Sequence, residues 1–113
     1  DIAGGHHLSM FRVMQYAVQM SKLQYVSSNG QYPFLTLSEV FYMATKAGGA
    51  FFGQVGSFEP GYAFDALVID DLCLSPHSMD ATSPIHRLER FIYLGDDRHI
   101  QHRFCQGNEI NQP

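Results

Sequence analysis

A chain of 113 residues is one domain's worth at most, enough for a modest core that removes roughly two thirds of the unfolded surface from water. An apolar share of 45% argues against disorder, and a net charge of -4 with seven scattered Lys and Arg argues against a nucleic-acid partner. Arg12, Lys22, Glu39 and Lys46 interrupt every apolar stretch, which leaves no candidate membrane span.

In chain order, Asp1-Ile2-Ala3-Gly4-Gly5 reads as a strand end and a sharp turn, because paired glycines permit positive φ and close approach. Ser9 is placed to cap a helix to about Ser28. Over that length Met10, Val13, Met14, Ala17 and Val18 recur at helical spacing, with Arg12, Gln15, Gln19 and Lys22 on the other face. Gly30 suits the left-handed residue that ends it. After Pro33, Thr36-Leu37-Ser38-Glu39 is a capping box, and Leu37, Val40, Phe41 and Ala44 form the stripe of a second helix ending at Gly48-Gly49. Ala50-Phe51-Phe52-Gly53 is read as one more helical turn.

Pro60-Gly61 is a type II turn signal. Phe64 to Ile69 then forms a strand apolar on both faces and bounded by Asp70-Asp71, a pattern typical of a sheet covered on both sides. Leu72 to Ser83 is irregular, with breaks at Pro76 and Pro84. A short helix is expected from Ile85 to about Tyr93, with Leu88, Phe91 and Ile92 opposite Arg87, Glu89 and Arg90. Ile100 to Cys105 is a strand, and Gln106-Gly107-Asn108 turns it into a hairpin. The opening on a strand end, with no signal peptide, is how a fragment of a longer protein looks.

Chemistry-bearing residues are few. Six histidines invite a metal hypothesis, yet His6-His7 and His99-x-x-His102 each lack further donors, and surface or structural roles account for His77, His86, His99 and His102. Asp70-Asp71 and Asp96-Asp97 have the polarity to bind a cation, and loop chemistry explains them equally well. Cys73 and Cys105 have no CxxC spacing and read as reduced thiols of a cytoplasmic protein. No P-loop, GxSxG elbow or HExxH motif is present.

Three stretches together go further. Asp1 to Gly5 resembles the loop after the eighth barrel strand of metal-dependent amidohydrolases. Gly56 to Asp70 resembles that family's return strand into its small β-domain, with Phe64-Asp65-Ala66 in the form found in guanine deaminases. Phe91-Ile92-Tyr93-Leu94-Gly95-Asp96-Asp97-Arg98-His99-Ile100 resembles a guanine-deaminase segment, and Thr36 to Thr45 fits the same alignment.

The resemblance implies an α/β fold: the C-terminal part of a (β/α)8 barrel hydrolase plus strands of its flanking β-sandwich. Residues 1–55 would close the barrel, and residues 56–113 would contribute to the small domain, with a helix near 85–93. It further implies one Zn2+ per active site, with Asp1 as both metal ligand and catalytic base, and hydrolysis of the small-molecule substrate guanine to xanthine and ammonia. The other ligands and the substrate-binding residues would precede residue 1. Two usual loop residues are replaced by His6-His7. The partners implied are the N-terminal barrel of the same protein and, at full length, a second copy in a homodimer, without nucleic acid or membrane. Two alternatives remain open: another heterocycle aminohydrolase, such as a chlorohydrolase-like enzyme, or a stand-alone interaction module.

Overall fold

The computed structural model describes Gly5, residues 7–74 and residues 83–110. Three helices and a small antiparallel sheet make up these residues.

Helix α1 covers Met10–Ser27 and turns Met14 and Val18, one turn apart, into the interior. Gln15, expected on the polar face, is also buried, at 8% exposure. Its Nε2 donates to the Ile92 carbonyl, so a polar side chain beside the apolar stripe is satisfied by another helix. The helix stops where Asn29 and Gly30 adopt φ of 53° and 82°. Gly30 N–H then donates to Tyr25 C=O at 2.8 Å, which supplies a partner for an end carbonyl. Ser21 Oγ accepts from Leu35 N–H at 2.9 Å and so draws the following segment back along α1.

Helix α2 covers Leu37–Tyr42 and starts with the expected box: Glu39 N–H donates to Thr36 Oγ1 at 3.4 Å, and Thr36 N–H to Glu39 Oε2 at 2.7 Å. Helical backbone continues to Gly49, but Met43–Ala47 is a π-helical turn, which the apolar stripe did not announce. The widened turn lies against Gly56, where a Cβ would come 2.5 Å from Thr45 O and φ is +77°. Only glycine fits there. Lys46, in the same turn, pairs with Glu59. The expected extra helical turn at Ala50 to Gly53 is instead a loop turn, with Phe51 and Phe52 exposed at 88% and 79%. With nothing to pack those rings, a single further helical turn gains little.

The type II turn is present: Gly61 has φ of +91°, and Tyr62 N–H donates to Glu59 C=O at 3.1 Å. Strand β1 is Ala66–Ile69, and β2 is Ile100–Cys105. They pair antiparallel from Ala66↔Phe104, with an irregularity between Val68 and Ile69. Strand β3, Asn108–Glu109, completes the order β1-β2-β3. β1 is shorter than expected because the Phe64 carbonyl and the Asp65 carboxylate accept from Gly107 and Gln106 amides of the hairpin, leaving the regular ladder. Nor is it covered on both sides. Leu67 and Val68, which point to opposite faces, are 47% and 45% exposed among the described residues. Gln106 and Gly107, at φ of 50° and 81°, make the primed hairpin turn.

Helix α3 runs Pro84–Leu94, one residue longer at each end than expected. Pro84 is a suitable first helical residue, because the N–H it lacks would have no helical partner. Phe91 and Ile92 are buried, and Phe91 meets Phe11 edge to face at 4.7 Å. The core is therefore interhelical: Met14, Val18, Val40 and Ile92, flanked by Phe11, Ala17, Leu35, Leu37, Ala44 and Leu88. Each fully buried side chain of this size contributes about 1.5–3 kcal/mol of transfer free energy. Among the described residues no helix is long and apolar enough to cross a membrane.

Candidate functional site

The loop that opens the chain is described at Gly5 and from His7 onward; Asp1 to Gly4 and His6 lie outside the described residues. His7 Nδ1 accepts the Ser9 backbone N–H at 2.9 Å. Ser9 sits at the N-cap with φ -78° and ψ 119°, and its carbonyl accepts Val13 N–H at 3.1 Å. Its hydroxyl makes no capping bond. The residue that ties off the helix start is thus His7, not the serine that the sequence pointed to.

The aspartate pairs have structural partners. Asp70 Oδ1 accepts Leu72 N–H at 3.1 Å, a local turn. The Asp71 carboxylate takes Arg87 Nε at 2.8 Å and Nη2 at 2.7 Å, a bidentate bond between the segment after β1 and helix α3. Asp71 is nearly buried while half of Arg87 stays in water. The Arg87 hydrogen bonds hold the Asp71 carboxyl below its ordinary range, and they outweigh the opposing effect of burial. Asp96 takes Arg98 Nε and Nη2 and lies 3.1 Å from His99 Nδ1. Its carboxyl is lowered as well, chiefly by Arg98. His102 Nδ1 meets Glu109 Oε1 at 2.6 Å across the hairpin.

These contacts account for His99, His102, Asp71 and Asp96 without a ligand. Among the described residues no three His, Cys, Asp or Glu side chains are grouped to hold a metal ion. His77 and the side chain of Cys73 lie outside the described residues; Cys105 is an exposed free thiol. A hollow of about 190 Å³ is lined by Ile69, Asp71, Pro84, Arg87, Leu88 and Phe91. Its polar groups are already bonded to each other. Sequence reasoning missed the Asp71–Arg87 pair because 16 positions separate its members. Gln15 was missed for a different reason, although its place next to Met14 at the edge of the apolar stripe was a usable signal.

Residues 1–110 match the family model described as Amidohydrolase family. The chain belongs to the amidohydrolase family. Within that family it is similar to guanine deaminases. It is 35% identical to the guanine deaminase of Dictyostelium discoideum over 97% of its own length and 25% of the relative's. It is 32% identical to that of Homo sapiens over 97% of its own length and 26% of the relative's. A crystal structure of guanine deaminase from C. acetobutylicum with guanine bound in the active site superposes with a TM-score of 0.89 at 56% identity, covering 98% of this chain and 26% of that one. The E. coli guanine deaminase superposes with a TM-score of 0.75 at 26% identity, covering 99% and 26%. This amidohydrolase chain therefore spans about a quarter of the length of the relatives it matches.

Proposed function

We propose that the chain is the C-terminal portion of a zinc-dependent guanine deaminase that hydrolyses guanine to xanthine and ammonia. The observation that carries this reading is the 56% identity and TM-score of 0.89 to a guanine deaminase whose structure holds guanine. Residues 1–55 would form the end of a (β/α)8 barrel, and residues 56–113 the chain's share of a small β-sandwich. The exposed Leu67 and Val68 suit a sheet that awaits a second layer. The partners in this reading are the N-terminal barrel of the same polypeptide and a second copy in a homodimer. A cytoplasmic setting accords with an exposed free thiol at Cys105.

The described residues do not make a zinc site by themselves. Asp1 is assigned as the one ligand that this chain provides, with the histidine ligands supplied by the rest of the parent protein. Bound zinc supplies acidity to water near neutral pH. The Asp1 carboxylate accepts the proton from the water whose oxygen joins the ring carbon as the exocyclic amine leaves as ammonia. An Asn at this position keeps the shape and loses the base. The 113 residues alone are expected to be inactive and to associate. In the full-length enzyme, Asp1→Asn should abolish ammonia release from guanine, and turnover close to that of the unaltered enzyme would refute the role of Asp1. A purified parent that releases no ammonia from guanine, while acting on another nitrogen heterocycle, would refute the substrate.

A further inference from the structure

The histidine at position 7 is the residue of the opening loop whose side chain the structure ties down. Because a backbone N–H can only donate, the Ser9 amide at 2.9 Å requires the lone pair of His7 Nδ1 and leaves the ring proton on Nε2. Ser9 contributes no side-chain cap of its own, so the first turn of the 18-residue helix α1 is joined to the loop through this imidazole. The loop otherwise contains Gly4 and Gly5, the residues with the greatest backbone freedom. A carboxylate that must meet a metal and a water within tenths of an ångström gains from a loop whose exit is fixed to a rigid element.

We infer that His7 is a positioning residue for the site proposed above: its Nδ1, acting through the Ser9 amide, fixes the loop that carries Asp1. The inference rests on the guanine-deaminase reading and on the assignment of Asp1 to it. It concerns the Nδ1 edge of the ring, which separates it from a role in which Nε2–H donates to substrate. Asn places an acceptor near the Nδ1 position, whereas Gln reaches the Nε2 position.

The test compares His7→Asn, His7→Gln and His7→Ala in the full-length zinc-loaded enzyme, measuring kcat and KM for guanine and the rate of zinc loss to a chelator. Outer-shell supports of metal ligands are worth about 10–100-fold in affinity or activity. The expectation is a fall of that order in kcat, with KM little changed, and faster zinc loss in His7→Gln and His7→Ala, both restored by His7→Asn. Three variants equal to the unaltered enzyme overturn the inference, as does an equal loss in all three. Rescue by Gln and not by Asn overturns it in favour of an Nε2 contact with substrate. If His7→Ala does not fold, the Asn and Gln variants still decide. An unaltered enzyme inactive on guanine defeats the underlying reading instead, so the two failures are distinguishable.

Discussion

The helices and the sheet solve the same problem differently. Both are rich in apolar residues, yet the helical part buries Met14, Val18, Val40 and Ile92 against one another, while β1 leaves Leu67 and Val68 half exposed. An amphipathic helix has one apolar stripe, and three helices can turn their stripes to a common centre. A strand that is apolar on successive residues needs cover on both faces, and three short strands give none. The lesson is that the helical part carries its own packing energy, whereas the sheet is held in place by turns and hydrogen bonds.

The largest effect that could break this contrast is at the helical centre. Ile92→Ala should cost about 2–5 kcal/mol in denaturant unfolding, since Ile92 is fully buried among side chains of all three helices. A loss below 1 kcal/mol would mean that the interhelical core is not where stability resides.

Next comes the link between the two parts. Asp71→Asn should cost about 1.5–3 kcal/mol near neutral pH, the range for hydrogen bonds to charged groups, because Arg87 loses a bidentate carboxylate while half of it can still be hydrated. The sign of the pH dependence follows from the lowered pKa of Asp71 in the folded state. The stabilisation is fully present above the unfolded carboxyl value of about 3.9 and is lost as pH falls through the lower folded value. Stability curves of the two proteins should therefore converge in acid. Parallel curves down to the acid limit would place the stabilisation somewhere other than this ion pair.

The smallest effect sharpens the contrast from the other side. Gly107→Ala should cost about 1–2 kcal/mol, because φ of 81° is unfavourable for a side chain even though nothing lies within 4 Å of the added Cβ. Amide exchange at Gly107 and Gln106 should report the loosened hairpin before α3 changes. If protection in α3 falls equally, the sheet and the helices unfold as one unit.

Several elements were legible because their signals are local. The Thr36 to Glu39 capping box, the Pro60-Gly61 turn, the stop at Gly30 and the Gln106-Gly107 hairpin each depend on residues within about four positions. Family membership was also legible, through stretches of resemblance and not through periodicity, and the match over residues 1–110 bears it out. Of the candidate site, the sequence named Asp1 by resemblance, whereas the use of His7 in place of Ser9 at the helix start required coordinates.

What the sequence determined by itself is where backbone direction and hydrogen bonding change, since glycine, proline and capping side chains act on their immediate neighbours. The tertiary structure decided which surfaces meet: Gln15 under the Ile92 carbonyl, Asp71 across to Arg87, Gly56 against the widened turn at Thr45, and the register of β1 on β2. Such pairings join positions far apart in the chain, and many registers satisfy the same pattern of polar and apolar residues. Only packing in three dimensions selects one of them.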